Sequence, residues 1–136
     1  MEKQITGSCL CGTVKYQIRG PFRIFQYCHC SRCRKFTGSS QAANLFVPPE
    51  QFKWLRGEES VSRFELPESK YFATSFCKIC GSSLPWLTKG GKNFVVTAGT
   101  LDIDPGIKPI QNVFWDSRAT WFEDPCNLPK YRELPK

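Results

Sequence analysis

Seven of the eight cysteines in this chain fall into three tight groups: Cys9-x-Cys11, Cys28-x-Cys30-x-x-Cys33 and Cys77-x-x-Cys80. No other feature limits the fold as sharply. Thiols two or three residues apart either share a metal or close a strained bridge. Two further considerations disfavour a disulfide framework. At 136 residues the chain can bury a core without staples. Its first ten residues, MEKQITGSCL, hold no apolar signal segment, and no apolar run approaches the ~18 residues of a membrane span. A cytoplasmic, thiol-reducing compartment is therefore expected.

Tetrahedral zinc takes sulfurs at about 2.3 Å, delivered from tight turns. Cys77-Lys78-Ile79-Cys80 forms such a turn, with Gly81 behind it to let the turn close. Cys9-Leu10-Cys11 repeats the pattern with one fewer intervening residue, and Gly12 follows. Two two-sulfur donors make one closed centre. Cys9, Cys11, Cys77 and Cys80 are therefore expected to hold a structural zinc that ties the N-terminal strand to the middle of the chain. A redox reading of Cys77 and Cys80 lacks the strand-then-helix context it needs.

Cys28, Cys30 and Cys33 supply three thiols from one loop. No fourth partner stands nearby at a suitable spacing. His29, the one histidine of the chain, lies between two ligands and is expected to point away from a metal they share. Cys126 lies far downstream in a proline-rich tail. A zinc with three protein ligands and an open fourth position has the arrangement of a catalytic site. Closure of the site by Cys126 or His29, or three free thiols, are the alternatives. Crowded thiolates repel one another and oxidise unless a cation neutralises them.

Between these groups, turn signals recur every ten or so residues, at Gly20-Pro21, Pro48-Pro49, Gly57, Pro67, Gly90-Gly91, Pro105-Gly106 and Pro109. Val14, Tyr16 and Ile18 share one strand face. Further strands are expected over 22–27, 41–47, 52–56, 60–66, 71–76, 84–87, 93–98 and 110–115. The pattern predicts a single all-β domain of small, mainly antiparallel sheets. One short helix is expected over Ser31–Thr37, stopped by Gly38, and a second turn at Pro48-Pro49-Glu50. Residues 123–136 read as an irregular C-terminal arm.

A formal charge of +7 invites a nucleic-acid partner. Ionised cysteines change that count: a four-thiolate and a three-thiolate zinc centre together bring it to about +4. The basic residues are also dispersed, and only Arg32, Arg34 and Lys35 form a tight group, beside the second cluster. The pattern argues against sequence-independent nucleic-acid binding, and a solvated helix face is the alternative reading of the triplet.

Four stretches, GSCLCGTVKY at 7–16, YCHCSRCRKFTG at 27–38, FCKICGSSLPW at 76–86 and VVTAGTLD at 95–102, carry a family resemblance. Together they resemble the glutathione-dependent formaldehyde-activating (GFA) family over about residues 7–122. The resemblance implies a β-tent fold with two zinc ions per chain, the second of them labile. It makes Cys9, Cys11, Cys77 and Cys80 the structural ligands, and Cys28, Cys30 and Cys33 the ligands of a catalytic zinc. It implies condensation of formaldehyde with glutathione to S-hydroxymethylglutathione, a carbon–sulfur lyase activity, with a small thiol and a small aldehyde as partners.

On that reading Arg32, Arg34 and Lys35 are candidates to hold a glutathione carboxylate, and Trp86, Phe114, Trp115 and Trp121 to line a pocket. Many relatives carry a histidine in the segment matching PIQNVFW, where this chain has Asn112. Asp102 and Asp116 are acid–base candidates by proximity alone, and Asp102, ahead of Asp104-Pro105-Gly106, reads as a turn residue. The competing function is a non-catalytic zinc module that presents a basic face to a macromolecular partner.

Overall fold

The computed structural model describes residues 4–135. Its strands are β1 (Gln4–Ser8), β2 (Lys15–Arg19), β3 (Ile24–Cys28), β4 (Ala42–Val47), β5 (Phe52–Arg56), β6 (Val61–Glu65), β7 (Ala73–Cys77), β8 (Ser83–Leu84), β9 (Trp86–Leu87), β10 (Phe94–Thr97) and β11 (Gln111–Val113). One α-helix, α1 (Ser31–Thr37), follows β3. The strands form three sheets, ordered β1-β2-β5, β11-β3-β4-β10-β9 and β6-β7-β8.

The expected all-β class of small sheets holds, with one refinement to its pairing. β11 runs parallel to β3, with Asn112 opposite Tyr27 and Val113 opposite Cys28. The other strand pairs are antiparallel. The chain returns across the molecule after β10 and lays β11 along the edge of β3 in the same direction. That strand delivers Val113 to the end of β3, where the second cysteine group begins.

Alternation sets the core. In β2, Tyr16 and Ile18 are buried while Lys15, Gln17 and Arg19 look partly outward. With Ile5, Phe25, Leu45, Val47, Phe52 and Val96 they fill the space between the first two sheets. Each such side chain contributes about 1.5–3 kcal/mol on burial. A smaller cluster of Val14 and Leu84 packs with Cys9 and Cys77 and joins the first sheet to the third. A further one, Ala73, Trp86 and Val95, joins the second sheet to the third.

The limits of α1 match its local chemistry. Cys30 caps its start, accepting a hydrogen bond from the Cys33 backbone N–H at 3.4 Å on Sγ. Gly38 ends it in the left-handed region (φ 67°), its N–H donating to the Arg34 carbonyl at 2.7 Å. The expected turn near Pro48-Pro49 is a 3-10 turn over Pro49–Gln51. Pro85 splits the expected strand 84–87 into β8 and β9. Residues 123–135 are exposed throughout and irregular apart from a 3-10 turn at Pro125–Asn127. No described helix is long and apolar enough to cross a membrane.

Candidate metal centres and binding cavity

The sequence-expected groups form in space. The Sγ atoms of Cys9, Cys11, Cys77 and Cys80 lie within 4.8 Å of one another, as do those of Cys28, Cys30 and Cys33. All eight cysteines are free thiols. Tetrahedral zinc at 2.3 Å from each sulfur requires S···S edges of about 3.8 Å. The Cys9–Cys11 and Cys11–Cys77 separations are 3.6 and 3.9 Å. The first group therefore fits a metal without rearrangement.

Both halves of that group are tight turns closed by a glycine at positive φ, Gly12 at 82° and Gly81 at 79°. Backbone N–H groups of Val14 and Ile79 donate to Cys9 and Cys77 Sγ at 3.3 and 3.4 Å. Hydrogen bonding to Ser82 holds the Cys80 thiol down to about 5, and hydrogen bonding to Thr13 lowers Cys11. Burial pushes Cys9 up. Cys11 and Cys80 thus ionise more readily than Cys9, whose buried thiol needs a cation beside it to do so.

The second group sits deeper, and all three of its cysteines are buried. Cys28 ends β3, opposite Ala42 at the start of β4. Cys30 caps α1 and Cys33 lies in its first turn. Hydrogen bonds with Cys28 and Cys33 push the Cys30 thiol far down, while those with Cys28 and Cys30 push Cys33 up. Cys28 is raised by its bond to Cys30. Of the three, Cys30 ionises most readily, while Cys28 and Cys33 resist ionisation. Full ionisation of all three requires a bound positive ion, which is the chemistry of a soft-metal site. The Asn44 amide adds a donor to Cys33 Sγ at 3.8 Å.

Neither alternative fourth ligand joins this group. His29 is 1% exposed, and its Nε2 bonds the Asn112 side-chain oxygen at 2.9 Å. Its ring meets Trp115 and Phe122 edge-on, with centroids 4.9 and 5.6 Å away. Its Nδ1 is buried with no hydrogen-bond partner, so the Nε2–Asn112 contact fixes the ring. Cys126 lies in the exposed arm, outside both groups. Among the described residues, three sulfurs are therefore all that the second centre gathers from His, Cys, Asp and Glu side chains.

Cys28, Cys30 and Cys33 face a cavity of about 520 Å³. Its walls are largely apolar, built by Phe46, Phe72, Trp86, Val95, Val113 and Phe114. Arg32, Lys70 and Lys92 bring positive charge to it, and no Asp or Glu is among the described residues that line it. The segment 66–72 is tied down over one side. Lys89 Nζ donates to the Leu66 and Ser69 carbonyls at 2.8 and 2.7 Å. Ser69 Oγ accepts from the Phe72 N–H at 3.0 Å and from the Arg32 guanidinium at 3.4 Å. The guanidinium carbon of Arg32 lies 5.7 Å from the centroid of the Phe72 ring.

Of the basic triplet, Arg32 lines the cavity, whereas Arg34 and Lys35 do not. Successive helix residues diverge by about 100°, so neighbours in sequence look in different directions. Trp86 and Phe114 line the cavity. Trp115 packs on His29 instead and carries Arg118 over its ring at 4.3 Å, and Trp121 is exposed. Asp102 accepts from Ser8 Oγ at 2.8 Å and holds the β1 edge, and Asp116 is exposed; neither reaches the cavity. Asn112 faces His29 rather than the cavity, so the side chain at this position braces the loop that carries Cys28 and Cys30. The sequence reading did not single out Asn44, Phe46, Lys70, Phe72 or Lys92. Their signal is three-dimensional, since they come from β4, the loop before β7 and the turn before β10.

Comparison with known proteins adds two findings. A family model described as glutathione-dependent formaldehyde-activating enzyme matches residues 4–117. A solved protein from Rhodobacter sphaeroides, a structural genomics target, shares the fold with TM-score 0.62 at 21% identity. The alignment covers 79% of this chain and 98% of that one.

Proposed function

This chain belongs to the glutathione-dependent formaldehyde-activating enzyme family, and we propose from that premise that it is a zinc-dependent carbon–sulfur lyase. It adds a thiol such as glutathione to formaldehyde or a related small aldehyde, giving an S-(hydroxymethyl)glutathione-type product. The observation that carries this reading is a three-sulfur group that opens on a cavity and lacks a fourth protein ligand among the described residues. In this reading each chain takes two zinc ions. Cys9, Cys11, Cys77 and Cys80 hold a structural one, and Cys28, Cys30 and Cys33 hold a second, more labile one. So many free thiols suit a reducing, cytoplasmic setting.

Cys28, Cys30 and Cys33 would hold the zinc, which would supply the positive charge that keeps an incoming thiol ionised at neutral pH. The chain's own residues do the rest. Asn44 donates to Cys33 Sγ and holds that sulfur in place. Arg32, at the start of α1 beside the sulfurs, is placed to hold a substrate carboxylate. The apolar walls exclude water from the reacting atoms. Attack of the thiolate sulfur on the aldehyde carbon forms the C–S bond and sends the carbonyl π pair to oxygen, which takes a proton from solvent. No Asp, Glu or His lines the described cavity to serve as general acid.

Exchange NMR tests this reading by measuring the rate at which formaldehyde and glutathione interconvert with their hemithioacetal. The zinc-loaded protein is expected to raise that rate well above background and Cys30→Ser to return it to background. Equal rates for both proteins at the uncatalysed level reject the reaction.

A further inference from the structure

Formaldehyde does not explain the shape of this cavity. Two heavy atoms occupy a small part of about 520 Å³, a volume typical of sites for much larger ligands. Nor does a polar thiol explain the walls. Phe46 and Phe72 present apolar surface to the cavity that the sulfurs also line, backed by the nearly buried Trp86 and Val95. Phe72 and Trp86 pack against each other at 5.1 Å, a shape held by the core that joins two sheets. Apolar surface kept open in a preformed cavity gains energy only from an apolar occupant.

Charge narrows the occupant further. Arg32, Lys70 and Lys92 line the cavity with no opposing carboxylate among the described residues. Lys70 and Lys92 are exposed. Arg32 leans on Phe72, donates to Ser69 Oγ at 3.4 Å and hydrogen-bonds the Cys30 thiol, so no carboxylate neutralises it there. Such an arrangement attracts anions and offers an ammonium group no carboxylate partner among the described residues.

We propose that this cavity selects the adduct of an acid-bearing thiol with a bulky apolar aldehyde of about six carbons or more. The hydrocarbon lies on Phe46, Phe72 and Trp86, and the carboxylates lie at Arg32, Lys70 and Lys92. The proposal rests on the carbon–sulfur lyase reading and narrows its substrate class. The chemistry balances without a redox partner: the thiol loses its proton, sulfur bonds to the carbonyl carbon, and the oxygen gains one proton.

Two measurements on the zinc-loaded protein separate this proposal from the reading beneath it. The first is calorimetric binding of S-methylglutathione and S-hexylglutathione, unreactive thioethers that differ only in hydrocarbon. Burying about half of the five extra methylenes tightens binding roughly thirtyfold. Affinities equal within about threefold would overturn the proposal. The second is exchange NMR with formaldehyde and with hexanal, each beside glutathione. Acceleration of both, greater for hexanal, supports both ideas. Acceleration of formaldehyde alone, with no preference for the hexyl thioether, leaves the lyase reading standing and sinks the substrate class. A hexyl preference without acceleration of either aldehyde removes the lyase reading and keeps the ligand preference.

Two variants divide the recognition. Phe46→Ala is expected to erase most of the hexyl preference. Lys70→Glu with Lys92→Glu, both at exposed positions that leave the fold unstrained, is expected to weaken S-hexylglutathione about tenfold and flatten its salt dependence. Unchanged binding in the lysine variant overturns the anion half of the proposal.

Discussion

The two sulfur groups use the same side chain and differ in where the chain supplies it. Cys9 and Cys11 follow β1, while Cys77 ends β7 of another sheet and Cys80 lies just past it, so the first group spans 66 residues between Cys11 and Cys77. Cys28, Cys30 and Cys33 come from one turn and the helix it starts. A metal at the first group closes a long loop and welds two sheets across a small core of Val14 and Leu84. A metal at the second closes almost no loop. On the proposed reading it would add little to the fold, and three donors would leave it a position free for substrate. Donor count and sequence separation, rather than residue type, are what the proposed function uses to tell a stapling site from a working one.

The sharpest way to break that comparison is to remove one sulfur from each. Cys77→Ser is expected to cost about 5 kcal/mol or more, because binding energy at such a staple is folding energy. Thermal melts by circular dichroism should lose their cooperative transition. Cys30→Ser is expected to cost about 1–2 kcal/mol, a fall in Tm of roughly 3–8 °C, with one zinc lost per chain by elemental analysis. Equal losses of stability would mean that both groups staple the fold.

Metal removal sharpens the contrast in time. A chromogenic chelator should draw zinc in two phases separated at least tenfold in rate, the faster from the three-sulfur site, where an incoming ligand can enter without displacing a protein one. Millimolar glutathione should change the fast phase alone. A single phase would place both metals in equally closed shells.

Much of the first group, and less of the second, was legible in the sequence. Spacing and trailing glycines paired Cys9 and Cys11 with Cys77 and Cys80, because a two-sulfur turn is a local object. α1 ends at the residues its cap and Gly38 dictate. The cavity was legible in its sulfurs, in Arg32 and in two of its aromatics, Trp86 and Phe114. Its cations beyond Arg32 come from Lys70 and Lys92, brought to the same mouth by loops whose course depends on Lys89 reaching back to two carbonyls. The triplet Arg32, Arg34, Lys35 is contiguous in sequence and divided in space by helical rotation. The parallel pairing of β11 with β3 follows a long return that carries no local signal, yet it brings Val113 and Phe114 to the cavity.

Lys89 offers a weaker perturbation that acts on the cavity and spares the metal. Lys89→Ala removes two charge-assisted bonds from a half-buried position, and about 1–2 kcal/mol of local stability is expected to go with them. Amide exchange over residues 66–72 should quicken about tenfold, in keeping with that loss. Binding of S-hexylglutathione should weaken severalfold while the zinc content stays at two per chain. Loss of zinc in this variant would show that the loop supports the sulfurs as well as the walls.

The smallest expected effect is the one that reads in two directions. Phe114 adopts φ 55° and ψ 42°, the left-handed region that an aromatic L-residue enters at a cost of about 1–2 kcal/mol. Its ring is 56% exposed, so packing returns little of that cost, yet it lines the cavity just after Val113. Asn tolerates this conformation far better. Phe114→Asn is therefore expected to stabilise the protein by about 0.5–1 kcal/mol and raise Tm by about 2–4 °C, while weakening S-hexylglutathione severalfold. The four-sulfur staple contains no comparable sacrifice, since its left-handed positions are glycines. A gain in stability with unchanged binding would make the strain at Phe114 idle, and a loss of stability would show that the exposed ring packs better than its surface suggests. Opposite signs in the two readouts would place stored strain at the open site alone, which is where a working cavity, unlike a staple, has a use for a ring held out into solvent.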